Sequence, residues 1–280
     1  NGLRMHELDF NLVDIKREHK KNHNFLRLDK NENLIFHSDF NRYPDMIYFY
    51  NEFEKILGHK IFFTEGVGGA IKNIFECLRP SYVNYDLNDY ALFPVFEKIY
   101  CKPSGPTIKF ILHPDENVVS CSKNYDHVVI DDAYRYFCPM DWDQFLHIKN
   151  ITICRSFSKA YGLAGLRIGY VVGELREYLS KFRGAYEANT FSMATSLEAL
   201  KNKNIMLDYV SRCKESLNIL LQDNSFNYDG FSNSVYSLKI NAYNDLIESK
   251  IMVKRFNDRL RITLAPFEII KPCIDILSKH

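Results

Sequence analysis

Between residues 61 and 172 the chain alternates short apolar runs with longer stretches whose apolar positions recur every three or four residues. The runs at 61–64, 82–85, 108–112, 128–130, 151–154 and 168–172 are short and rich in Ile, Val, Phe and Tyr, as strands are. A glycine turn and a helix through 70–75 follow the first run, and a helix at 94–100 follows the second. Strands that are apolar almost throughout, alternating with helices, predict a mostly parallel sheet covered on both faces. After Gly173 the period becomes helical, over 174–183, 191–200 and 205–221. A turn-rich break at 224–233 separates these from a mixed tail. That tail reads as a strand at 235–240, a helix at 244–249, strands at 251–253 and 260–263, and a last helix after Pro266. The pattern predicts an α/β fold: a large domain with a small α+β lobe, without internal repeats or low-complexity tracts.

Composition narrows the class. The chain has 280 residues, 46% hydrophobic and 25% charged, ordinary for a globular protein and enough for a full core without metal or disulfide help. A net charge of +1 gives no global field for nucleic acid or a membrane surface. The basic stretch from Lys16 to Lys21 reads as a solvated helix end or linker. Seven cysteines, an odd number with no C-x-x-C pair, point to free thiols in a reducing compartment. His19 and His23 lack a third ligand, so no metal is expected. No apolar run reaches the length of a membrane span and no apolar signal core opens the chain, so the expected location is cytoplasmic. The residues before Met5 are left out of the fold reasoning.

Three segments carry candidate chemistry. Lys159 stands in Ser156-Phe157-Ser158-Lys159-Ala160-Tyr161-Gly162-Leu163-Ala164-Gly165-Leu166-Arg167-Ile168-Gly169-Tyr170. A lysine with hydroxyls before it and an arginine eight positions on suits Schiff-base formation with pyridoxal phosphate, the hydroxyls and guanidinium holding the phosphate. Thr64-Glu65-Gly66-Val67-Gly68-Gly69-Ala70 follows a strand and opens a helix, where exposed backbone N–H groups bind phosphate. The same turn resembles a dinucleotide fingerprint with Asp86 as the ribose acid, but the third glycine is Ile71 and the lysine segment is then unexplained. Val128-Val129-Ile130-Asp131-Asp132-Ala133-Tyr134 ends a buried-looking strand in acids. A carboxylate there can hold the proton on a pyridine nitrogen.

Together these segments resemble pyridoxal-phosphate enzymes of the aspartate aminotransferase fold (type I, class I/II), the histidinol-phosphate aminotransferase branch most of all. The resemblance runs from about Leu28 to Thr263 and implies a role for each matching residue. Lys159 is the Schiff-base lysine, Asp131 faces the ring nitrogen, and Tyr134 bonds the ring 3-oxygen. Asp132 is expected behind Asp131 or exposed to solvent. Gly66, Val67, Gly68, Ser156, Ser158 and Arg167 hold the cofactor phosphate, and Tyr90 stacks on the ring. Asn41-Arg42-Tyr43-Pro44-Asp45 resembles the R-Y-P-D motif, which implies a homodimer in which Tyr43 of one subunit reaches the other's cofactor. Leu28-Asp29-Lys30-Asn31-Glu32-Asn33 resembles the L-x-x-N-E-N entry and places Asn31 near substrate. Leu260-Arg261-Ile262-Thr263 resembles the strand whose arginine binds the substrate anion, with Lys254 or Arg255 as a second cation. The implied domains are a large one from 42 to 230 and a small lobe built from 1–41 and 231–280.

The family's N-P-T-G turn, whose asparagine bonds the cofactor 3-oxygen, is replaced here by His113-Pro114-Asp115-Glu116-Asn117, with Asn117 as a possible substitute from a shifted register. The expected reaction is amino transfer between an amino acid such as glutamate and a small keto or aldehyde substrate bearing a carboxylate or phosphate. A decarboxylase of a phospho-amino acid uses the same residues. A non-catalytic binding module of the same fold is the reading from another class, motivated by the shortened 113–127 connection.

Overall fold

The computed structural model describes residues 43–86, 90–184 and 186–280. Helix α1 (Met46–Leu57) is capped by Asp45, whose carboxylate accepts the Tyr48 N–H, and ends at Gly58 in the left-handed conformation. Next come β1 (Phe62–Thr64), α2 (Gly66–Leu78), β2 (Tyr82–Asn84), α3 (Phe93–Tyr100), β3 (Thr107–Ile111), α4 (Val118–Asn124), β4 (His127–Asp132), β5 (Ile151–Ser156) and β6 (Gly169–Gly173). These strands form one six-stranded sheet in the order β1-β6-β5-β4-β3-β2. β2, β3, β4 and β5 pair in parallel, while β6 runs antiparallel to both β5 and β1. The reversal accords with the link: residues 157–168 between β5 and β6 form no α-helix to cross a face of the sheet, so the chain returns beside β5 in the opposite direction.

Both faces of this sheet are buried, as its unbroken apolar strands require. On one face α2 and α3 bring Ile71, Ile74, Phe75 and Phe93 onto Val83, Ile108, Phe110, Val129, Cys154 and Val171. Phe75 and Phe110 stack with ring centroids 5.6 Å apart. On the other face Phe53 of α1 meets Phe63 and Phe157 edge-on, and Trp142 covers Val128, Ile130 and Ile153.

The remaining elements are α5 (Leu175–Lys181), α6 (Thr190–Lys201), α7 (Lys203–Leu220), β7 (Phe226–Tyr228), β8 (Ser234–Ser237), α8 (Tyr243–Glu248), β9 (Lys254–Arg255), β10 (Leu260–Thr263) and α9 (Phe267–Leu277). Strands β7-β8-β10-β9 make a second, antiparallel sheet. One face packs Val235, Leu260 and Ile262 against Val210, Cys213 and Leu217 of α7 and Ile270, Cys273 and Leu277 of α9. The strand expected at 251–253 lies at Lys254–Arg255, and β7 forms inside the stretch read as a turn-rich break. Both strands are too short to show an alternation of their own and exist through pairing with β10 and β8. Among the described residues no helix is long and apolar enough to cross a membrane, and no cluster of three or more metal-ligating side chains occurs.

Candidate active site

The parallel strands determine where the chemistry gathers. β1, β4 and β5 end on the same edge of the sheet, and β6 starts there, with Gly169 opposite both Thr64 and Ser156. That edge, outside the carboxyl ends of parallel strands, is where α/β folds bind ligands.

The turn after β1 forms a cradle. Gly66 has φ +72°, and a Cβ there would lie 3.1 Å from an Arg167 guanidinium nitrogen. A Cβ on Gly68 would lie 2.8 Å from the Tyr90 hydroxyl. Glycine is therefore needed at Gly66 for both backbone and space. Val67 turns its side chain into the core, leaving only its backbone to face the cradle. No side chain caps this end of α2, so the N–H groups of its first turn are left to a ligand. Arg167, itself left-handed at φ +50°, donates through Nη1 to the Ala164 carbonyl and through Nη2 to the Glu65 carbonyl, both at 3.2 Å. Across the cradle, Ser156 Oγ accepts the Ser158 N–H at 3.0 Å, which leaves its own proton for donation. An open helix terminus, a guanidinium and two hydroxyls form a donor set that fits a phosphate.

Above the cradle, Lys159 Nζ lies 5.4 Å from the centre of the Tyr134 ring. Lys159 is held below the usual lysine range, first by desolvation and then by the positive charge of Arg261, with Asp131 pulling the other way and Arg167 adding to the depression. Asp131 Oδ1 accepts the Ala133 N–H at 3.0 Å. Burial pushes Tyr134 and Tyr90 up, and Asp131 adds to both shifts. Lys159, Asp131, Tyr134, Arg167 and Tyr90 thus gather at this edge of the sheet, and the charge of Arg261, on β10 of the second sheet, acts on both Lys159 and Tyr134. A depressed lysine beside a carboxylate and a phenol, above a phosphate cradle, fits pyridoxal phosphate.

Tyr43, half exposed, stacks on Tyr186 with centroids 4.5 Å apart. Asn31 lies outside the described residues. Asn117 is exposed and caps α4, its Oδ1 accepting the Ser120 N–H at 2.9 Å, so this amide oxygen serves a helix end.

Asp132 is not exposed. It is buried at 2% and accepts from Arg155 Nε at 2.9 Å. Arg155 Nη2 also donates to Asp143 at 2.6 Å, and Arg135 closes the network on the other Asp143 oxygen at 2.6 Å. Burial pushes Asp132 up to about 6 despite its guanidinium partner. Sequence reasoning passed over Arg155. Its signal is an arginine inside the apolar run Ile151-Thr152-Ile153-Cys154-Arg155, a place where a charge requires a buried partner. The open choice between Lys254 and Arg255 is narrowed by register: Lys254 lies opposite Arg261 and shares its face, whereas Arg255 lies opposite buried Leu260 and its guanidinium covers the Tyr243 ring.

A mostly parallel sheet with one reversed strand, and a lysine in the turn before that strand, is an aspartate aminotransferase-like architecture. It is shared with solved aminotransferases. The structure of histidinol-phosphate aminotransferase from Clostridium acetobutylicum superposes with a TM-score of 0.70 at 15% identity, covering 86% of this chain and 90% of that one. The Sinorhizobium meliloti histidinol-phosphate aminotransferase in complex with pyridoxal-5'-phosphate gives 0.65 at 19% identity, covering 86% and 82%. The chain belongs to the aminotransferase class I and II family, which matches residues 116–265, more than half its length. Histidinol-phosphate aminotransferase of Thermoanaerobacter pseudethanolicus is 28% identical over 232 residues, 72% of this chain and 62% of that protein. The chain thus spans less than two thirds of that relative's length.

Proposed function

We propose that the protein is a pyridoxal-phosphate-dependent aminotransferase. It would exchange an amino group between an amino acid, glutamate first among candidates, and a small keto or aldehyde substrate bearing a carboxylate or phosphate. The observation that carries this reading is the placement of Lys159, 5.4 Å from the Tyr134 ring, at the sheet edge where Gly66 and Arg167 build the cradle; Arg261 and Arg167 favour its neutral amine and Asp131 opposes them. The similarity to a histidinol-phosphate aminotransferase supports a phosphorylated acceptor.

In this reading Gly66, Val67, Gly68, Ser156, Ser158 and Arg167 hold the cofactor phosphate, and Tyr90 stacks on the cofactor ring. Asp131 keeps a proton on the ring nitrogen and Tyr134 bonds the ring oxygen. When bound, pyridoxal phosphate supplies a carbonyl for an amine and a ring that draws electrons from the substrate α-carbon. Lys159 carries the proton to and from that carbon as general acid and base. Arg261 and Lys254 orient the substrate anion. Asn31 completes the substrate side, and Tyr43 serves the cofactor of a partner subunit. The division into a large domain from 42 to 230 and a lobe from 1–41 and 231–280 belongs to the same proposal, although the packing of α7 and β7 with the second sheet supports a boundary before Lys203.

The test begins with borohydride reduction of protein loaded with pyridoxal phosphate. The cofactor is expected to become fixed on Lys159, located by peptide mass, and Lys159→Ala is expected to take no label. Nitrogen exchange between glutamate and 2-oxoglutarate is expected in the wild type and should slow by about 10²–10⁴-fold in Lys159→Ala. Carbon dioxide release from a phospho-amino acid without exchange would make the protein a decarboxylase. Failure to bind the cofactor covalently would leave a binding module.

A further inference from the structure

The second sheet has one buried and one open face. Leu260 and Ile262 of β10, with their partners Ser237 and Val235 of β8, are buried. Arg261 and its direct partner Tyr236 are only half-buried and lie on the opposite face. Residues directly opposite in an antiparallel ladder carry their side chains on one face with Cβ atoms about 4.5–5.5 Å apart. Tyr236 therefore stands beside the residue assigned to the substrate anion. Arg259, two positions before Arg261 on the same face, lays its guanidinium over the Tyr236 ring at 5.0 Å from the centroid. That contact holds the tyrosine ring, and Arg261 opposite it in the ladder keeps its surroundings positive.

Tyr134, whose ring lies 5.4 Å from Lys159 Nζ, feels the same two charges, Asp229 and Arg261, as Tyr236. Burial, reinforced by Asp229, pushes the Tyr236 phenol up, so at neutral pH the group keeps its proton and can donate.

We propose that Tyr236 is a specificity-determining residue whose hydroxyl donates, alongside the Arg261 guanidinium, to the oxyanion of the substrate. A guanidinium alone recognises charge in a plane; a phenolic O–H at its side adds a second direction and selects a group with a further acceptor oxygen, a carboxylate or a phosphate monoester. Arg259 acts as a positioning residue by covering the ring. The inference rests on the assignment of Arg261 to the substrate anion.

The experiment titrates glutamate into cofactor-loaded wild type, Tyr236→Phe and Arg261→Gln, following conversion of the cofactor in the half-reaction, and titrates inorganic phosphate calorimetrically into the same proteins. Tyr236→Phe removes one oxygen and keeps the ring. It should weaken glutamate or phosphate binding by about ten-fold, the loss of one hydrogen bond to a charged group. The limiting rate should stay within about two-fold, and cofactor retention through gel filtration should be unchanged, because the lost hydrogen bond is one of uniform binding. Arg259→Gln should give a smaller change in the same direction. If Arg261→Gln weakens binding and Tyr236→Phe does not, this inference is overturned and the assignment of Arg261 stands. If neither variant weakens binding, or the wild type responds to neither probe, the assignment of Arg261 falls and the role of Tyr236 falls with it. Loss of cofactor retention in Tyr236→Phe would overturn the proposal in favour of a structural role.

Discussion

A lysine amine adds to a carbonyl only in its neutral form, so the residues that matter around Lys159 are those that move its proton. Desolvation lowers its pKa first, Arg261 next, and Asp131 opposes both. Removing a cation must raise the midpoint and removing the anion must lower it. In protein stripped of cofactor, the rate of Lys159 labelling by an amine reagent should rise with pH around a midpoint below that of free lysine. Arg261→Gln should shift that midpoint upward and Asp131→Asn downward; a shift in the same direction for both variants would contradict this arrangement of charges. The linkage has a matching sign. A lysine whose pKa is lower folded than unfolded opposes folding while protonated, and that penalty is relieved as pH rises from the folded value toward the unfolded one.

At the scale of elements, β4 and β5 are joined by more than their ladder. Asp132 and Arg155 sit opposite each other in register, and the fork of Arg155 reaches on to Asp143, which Arg135 also holds. These charges fix the residues next to Asp131, Tyr134 and Ser156, the three points where the sheet edge meets the candidate site. Arg155→Leu leaves the Asp132 carboxylate buried without its partner, and should lower unfolding free energy by about 3–5 kcal/mol in a urea titration. The double variant Asp132→Leu with Arg155→Leu should recover part of that loss, since no buried charge is then left unpaired on β4. Arg155→Lys should not rescue the single loss, because an ammonium cannot serve Asp132 and Asp143 as a planar fork does.

At the scale of the whole molecule, the proposed homodimer makes a prediction that a monomer cannot satisfy. Tyr43 is 48% exposed and stacks on Tyr186. If it serves a partner's cofactor, a mixed dimer of Lys159→Ala and Tyr43→Ala subunits contains one site with both residues intact and one with neither. Mixing the two inactive or weakened proteins after mild dissociation should therefore restore exchange activity above the sum of the parents. Activity equal to that sum would place Tyr43 and Lys159 in the same subunit's site or in no common site.

What could be read from the chain alone was whatever lies contiguous in it. The hydroxyls, lysine and arginine of 156–167 act within one turn, and the apolar runs that become β3, β4, β5 and β6 carry their own burial pattern, so local order announced them. The glycine of the cradle was visible because a strand-to-helix turn at Gly66 needs a residue tolerant of positive φ. Tertiary structure decided what depends on register and on distance along the chain. It paired Asp132 with Arg155, where the sequence leaves the strand-end acid either behind Asp131 or exposed to solvent. It assigned Asn117 to a helix cap, because an amide followed by a helical turn finds the orphan N–H groups first. It placed Lys254, Arg261 and Tyr236, from three strands, on one face of the second sheet. Side-chain chemistry is a local property and is written in the residues. Which side chains face each other is set by how strands align and sheets pack, and only the folded chain carries that information.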